Sequence, residues 1–97
     1  FSLIREYSIP TEFSLRPAYP NPFNPRTTIQ YDLSEDINVI LEIYDINGRI
    51  TKALTDRILD SGYHSVVWNA SNNSSGIYFI RMQSGEFKSM QKLMLVK

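Results

Sequence analysis

An enzyme needs acid, base or nucleophile groups that converge, and this sequence offers few. It has one histidine, His64. In the alternating run that follows, His64 shares a face with Val66 and Trp68, so it reads as a strand residue near a sheet rim rather than as a general base. A lone histidine also cannot build a multi-histidine zinc site, and there is no Gly-x-Ser-x-Gly elbow. The carboxylates are scattered: Glu35 and Asp36 in a turn, Asp45 before a hairpin, Asp56 and Asp60 near the next turn. Turn carboxylates ordinarily accept hydrogen bonds from nearby backbone amides, so no glycosidase-like pair is expected.

Two weaker constellations concern binding. Residues 69–76, Asn-Ala-Ser-Asn-Asn-Ser-Ser-Gly, are rich in oxygen ligands but carry no carboxylate to hold calcium tightly, so they read as a solvated loop. Their three Asn-x-Ser matches arise from composition. Tyr44, Tyr63, Trp68 and Tyr78 could form a sugar-stacking platform. Alternation assigns Trp68 and Tyr78 to a core, which leaves Tyr44 and Tyr63 as the case for a glycan.

Composition narrows the field further. The chain has 97 residues, ten basic and ten acidic, so it lacks the long-range field that draws proteins to nucleic acid or to anionic membranes. There is no cysteine, hence no disulfide, thiolate metal site or thiol nucleophile, and no cofactor is expected. No apolar stretch approaches the roughly 20 residues that span a bilayer as a helix. The opening Phe1-Ser2-Leu3-Ile4 runs at once into Arg5-Glu6, unlike a signal peptide, so an exported parent protein would carry its signal upstream.

The elements that must position these residues are strands. Hydrophobic content of 42% with 12% aromatics suits a packed β domain. Residues 1–11 read as a linker and 12–97 as one domain. A short strand over residues 12–16 leads into Pro17-Ala18-Tyr19-Pro20-Asn21-Pro22-Phe23-Asn24-Pro25, where four prolines in nine residues forbid helix or central strand. This stretch is expected to form a stiff, turn-rich or polyproline-like arch pinned to the body by Tyr19 and Phe23.

Strand patterns then recur over residues 27–33, 37–45, 49–54, 63–69, 77–83 and 87–96, at the spacing of a sandwich. Asn47-Gly48 and Ser84-Gly85 mark two-residue hairpins. Residues 77–83 are apolar on both faces, as in a central strand. The expectation is an all-β, seven-stranded, mostly antiparallel immunoglobulin-like β-sandwich. Its predicted core is Ile29, Tyr31, Leu33, Val39, Leu41, Ile43, Val66, Trp68, Tyr78, Ile80, Met82, Leu93 and Leu95.

The order of motifs is specific. After the proline string come Thr27-Thr28-Ile29, then Ile43-Tyr44-Asp45-Ile46-Asn47-Gly48-Arg49, Gly62-Tyr63-His64-Ser65-Val66-Val67-Trp68, Ser75-Gly76-Ile77-Tyr78-Phe79-Ile80-Arg81 and Lys92-Leu93-Met94-Leu95-Val96-Lys97. From residue 12 to residue 97 the chain resembles the type A C-terminal sorting domain of the bacterial type IX secretion system, and also the immunoglobulin-like domain of flagellar hook-capping proteins. It departs from the family pattern at Ala18, where Asn is frequent, and at Asn69-Ala70-Ser71, where Asp-Gly is frequent.

The resemblance implies a non-catalytic domain that directs a larger protein through the periplasm of Bacteroidetes-like bacteria to the cell surface or medium. Its implied partners are the outer-membrane machinery, a sortase and the upstream domains of the parent. A carbohydrate-binding or spacer module of a secreted glycosidase, and a hook-cap domain, remain alternatives. Four residues are singled out for contact with the machinery. Gly48 permits a rigid hairpin tip and Arg49 offers a planar, permanently charged donor fork. Lys92 and Lys97 bracket a last strand that could present a free sheet edge or carboxylate. The same residues also read as a turn glycine, a solvated arginine and edge lysines that discourage aggregation.

Overall fold

A computed structural model describes residues 9–97. Most of the stretch read as a linker, residues 1–11, lies outside the described residues. Seven strands follow in order: β1 (Ser14–Leu15), β2 (Arg26–Leu33), β3 (Ile37–Tyr44), β4 (Ile50–Leu59), β5 (Gly62–Asn69), β6 (Gly76–Ser84) and β7 (Phe87–Leu95). They make a three-stranded sheet ordered β1-β2-β5 and a four-stranded sheet ordered β4-β3-β6-β7, and every strand pairing is antiparallel. The two sheets pack as the expected immunoglobulin-like sandwich.

Alternation explains the core. Val39, Leu41 and Ile43 on β3, Ile80 and Met82 on β6 and Leu93 and Leu95 on β7 point inward and are buried, facing Ile29, Tyr31 and Leu33 of β2. β6 lies between β3 and β7, which is why its outward positions, Ile77 and Phe79, are also partly covered. Trp68 is 2% exposed and joins the sheets, with Phe23 at 5.4 Å and Tyr78 edge-on at 5.3 Å between ring centroids. Such offset aromatic contacts add to the burial itself.

Several expectations need correction. Val66 is only half-buried, because β5 is an edge strand and its middle faces the open side of the sandwich. Tyr19 is 81% exposed; the arch is held by its backbone pairing with Thr28 and by the buried Ala18 and Phe23 instead. Three peptide bonds of the arch, before Pro20, Pro22 and Pro25, are cis rather than polyproline-like.

Further differences concern strand lengths and turns. β1 shrinks to two residues, whereas β4 continues to Leu59. That continuation is hard to read because β4 is an edge strand with two register shifts against β3, which break the alternation. The first hairpin has a three-residue loop: Gly48 donates to the Asp45 carbonyl and Asp45 to that of Arg49. Only Gly48 takes positive φ, at 81°, and Asn47 does not.

Candidate recognition surface

In an antiparallel sheet, directly opposed residues project to the same face. On the outer face of the four-stranded sheet this rule aligns Ile50, Tyr44, Phe79 and Lys92 in one row across all four strands. The next row holds Ala53, Glu42, Arg81 and Met90, the one beyond it Asp56, Ile40, Gln83 and Lys88, and Ile77 opposes Met94. These are the outward partners of the core positions, so the strand pattern that builds the core also builds this surface.

The surface is grooved. Tyr44, Asp45, Ile46, Gly48, Phe79, Arg81 and Met90 line a depression of about 380 Å³. A second of about 170 Å³, lined by Arg81, Lys88, Ser89 and Met90, adjoins it through the shared Arg81 and Met90. The apolar end carries Ile46 and Met90, 71% and 58% exposed, beside the half-buried Tyr44 and Phe79. Exposed hydrophobics gathered in this way mark interaction surfaces rather than ordinary scatter.

Polar contacts set the walls. The Asp45 carboxylate accepts from the amides of Asn47 at 2.8 Å and Arg49 at 3.0 Å, which fixes the hairpin tip as the turn reading of that carboxylate expects. Tyr44 donates to Glu42 Oε1 at 2.8 Å, and Arg81 reaches the Tyr44 hydroxyl at 3.4 Å and Gln83 Oε1 at 3.1 Å. Arg81 is thus held across the face by neutral acceptors.

Of the residues singled out from the sequence, Gly48 lines the groove, and its Cβ position faces open space. Arg49 is exposed at the same hairpin tip, and the Lys92 side chain is exposed in the row of Tyr44 and Phe79. Lys97 is elsewhere. Its ammonium donates to the carbonyl of Ser71 at 2.7 Å and its amide to Ser75 Oγ at 3.0 Å, so it ties the chain to the oxygen-rich loop. The oxygen-rich loop thus carries a lysine ammonium on its Ser71 carbonyl.

The free edge expected of the last strand is not there over residues 92–96. The arch covers it: Asn21 Nδ2 donates to the Lys92 carbonyl at 3.0 Å and Asn21 Oδ1 accepts from the Met94 amide at 3.0 Å. Phe23 donates to the Met94 carbonyl and accepts from the Val96 amide, at 2.9 and 3.0 Å. Gln91 closes the clasp between the Ala18 amide and the Arg16 carbonyl. An edge paired in this way offers side chains, not backbone, to a partner.

Sequence reasoning also missed the outer-face groove, whose apolar lining comes from strand positions that alternation labels as solvent-facing. Phe79 and Met90, large apolar residues at outward positions, were the available signal.

The remaining candidates fall apart in space. Tyr44 lies on the four-stranded sheet and Tyr63 on the three-stranded one, so they form no common sugar platform. Tyr63 instead packs its ring against the Arg16 guanidinium, 5.9 Å away, and that guanidinium binds both oxygens of Asp32. The hydrogen bond and charge of Asp32 raise the Arg16 pKa. His64 stacks on Tyr31 with ring centroids 5.4 Å apart and its Nε2 lies 2.7 Å from the Asp60 carbonyl, a rim residue as expected. Among the described residues, no cluster of three potential metal ligands occurs.

Residues 17–97 match the family described as the secretion system C-terminal sorting domain. Among solved structures the chain is similar to dimeric latent PorU from Porphyromonas gingivalis, with 21% identity and a TM-score of 0.65 over 84% of this chain and 9% of that one. It is also similar to PorZ of the same organism, a surface component of the type IX secretion system, with 20% identity and a TM-score of 0.62 over 87% of this chain and 12% of that one. The chain thus spans about a tenth of each, and at these identities the likeness is one of fold. No curated protein matches the chain.

Proposed function

The chain belongs to the family of secretion system C-terminal sorting domains, and from that premise we propose that its type IX recognition surface is the outer face of the four-stranded sheet, at the end marked by Gly48, Arg49 and Lys92. As a sorting signal the domain directs the protein that carries it to the cell surface or medium through the outer-membrane machinery. Its own part is recognition, with no catalysis, and whatever activity the parent has resides upstream. Residues 12–97 form the signal and 1–11 the linker, in which a sortase would cut.

The observation that carries the assignment of this face is the groove of about 380 Å³ that opens between Gly48 and Phe79, the strand neighbour of Lys92. The edge of β7 over residues 92–96 is occupied by the arch and Lys97 is engaged by a loop, which leaves this face as the one where predicted site residues and exposed apolar groups coincide.

The test is a fusion of the full 97-residue chain behind a periplasmic reporter in a bacterium with the type IX machinery. Surface or medium localisation that depends on the machinery is expected, and periplasmic retention of a folded fusion refutes the sorting reading. Arg49→Ala combined with Lys92→Ala should reduce export while leaving the melting temperature unchanged; undiminished export of that variant removes these residues from the recognition surface. Deleting residues 92–97 is uninformative, because it removes the buried Leu93 and Leu95 and with them the fold.

A further inference from the structure

The chain carries ten acidic and ten basic residues and is neutral overall. Among the described residues the one ion pair is Arg16 with Asp32, on the other sheet. Arg81 and Lys88 line the two depressions, Lys92 stands in the row of Phe79 and Arg49 at the hairpin tip, and among the described residues none of the four has a carboxylate within 4 Å. Two acidic residues lie close by. Glu42 accepts from the Tyr44 hydroxyl, and Asp45 lines the groove with its Oδ1 taken by two backbone amides. The groove thus pairs an apolar end, Ile46, Tyr44, Phe79 and Met90, with a cationic flank, Arg81, Lys88 and Lys92, that makes no direct ion pair among the described residues.

The spacing of that flank identifies its complement. On β7 the outward residues are Lys88, Met90, Lys92 and Met94, and the first three, each two residues apart, lie about 7 Å from one another along the strand. An extended polypeptide laid along β7 presents its own alternate side chains at the same repeat. A segment of the form carboxylate–x–apolar–x–carboxylate then sets its apolar side chain on Met90, beside the depression, and a carboxylate against each lysine.

Resting on the sorting assignment above, we propose that the groove binds an extended, acidic segment of the secretion machinery with one apolar anchor, held by side chains and not by strand addition. The arch pairs the edge of β7 over residues 92–96 and excludes strand addition there, and the alternation of charge with an apolar residue favours a peptide over a cluster of phosphates.

The experiment has two arms. In the first, the isotope-labelled 97-residue chain is titrated with the peptide Ser-Asp-Ser-Leu-Ser-Asp-Ser, or with a peptide of the same composition whose two Asp residues are adjacent. The expected result is shifts at the amides of Phe79, Arg81, Met90 and Lys92. The adjacent-Asp peptide should bind about tenfold more weakly, and added salt should weaken the first. Equal binding by the two peptides overturns the proposal. So does an absence of peptide binding while phosphatidylglycerol vesicles shift the same amides, which would make the groove a lipid site.

In the second arm, Met90→Glu and the double variant Lys88→Glu/Lys92→Glu are compared with the unchanged chain as reporter fusions, with Met90→Leu as the conservative control. Loss of export in the first two and retention in the control supports the groove. Export of all four overturns the groove while leaving the sorting reading intact, and failure of the unchanged fusion refutes the sorting reading itself.

Discussion

Asn21 stands beside Met94 as a substitute for a neighbouring strand: its side-chain Oδ1 accepts the Met94 amide at 3.0 Å, while its Nδ2 donates to the carbonyl two residues earlier, at Lys92. One amide side chain thus reproduces the donor and acceptor of a peptide group at the edge of β7. The proline arch needs such a device because proline has no amide hydrogen to offer a strand.

Asn21→Ala should therefore leave one donor and one acceptor of β7 to solvent. A loss of about 1 kcal/mol is expected in urea unfolding. The Met94 amide should also exchange its hydrogen faster, while exchange in β3 stays unchanged. Unaltered exchange at Met94 would show that the arch holds the edge through Phe23 alone.

Trp68 sits between Phe23 of the arch and Tyr78 of the opposite sheet. Trp68→Ala should cost about 3–5 kcal/mol, read from the shift in denaturation midpoint. Phe23→Ala should act on the same cluster, so the two losses should not add. Strict additivity in the double variant would mean that arch and core are energetically separate.

Gly48 has φ of 81° and open space at its Cβ position. Gly48→Ala meets no neighbour, so its cost is backbone strain alone, about 1 kcal/mol in thermal denaturation. The same change at Gly85, with φ of 60°, also brings a Cβ within 3.0 Å of Ile37 Cδ1 and should cost more. The ranking of the two melting temperatures checks this.

Burial of the Tyr31 phenol raises its pKa above the ordinary 10.0, against the lowering effects of the Thr55 hydrogen bond and the Arg57 charge. The folded chain then holds this proton more tightly than the unfolded chain. Its contribution to stability is complete below pH 10.0 and is lost as pH rises through the folded value. Tyr31→Phe should flatten the alkaline limb of the stability profile without changing its shape near neutrality. An alkaline limb identical in both proteins would assign it to other groups.

By itself the sequence determined the seven strands, the antiparallel sandwich and most of the core, because alternation at period two and the glycine turns are local properties that each strand carries in its own residues. Family membership was legible for the same reason, as motifs held in linear order. Val66, Tyr19 and the second half of β4 escaped, since whether an apolar residue is covered depends on its strand's place in the sheet, and β4 and β5 lie at edges.

The recognition surface belonged to the tertiary structure. Tyr44, Phe79, Met90 and Lys92 come from three strands and become neighbours only through register. Local sequence likewise carried no sign that an asparagine 73 residues away closes the edge of β7 or that Lys97 is tied to the 69–76 loop. Hydrogen bonds across such separations depend on loop closure and sheet order, which the whole fold sets.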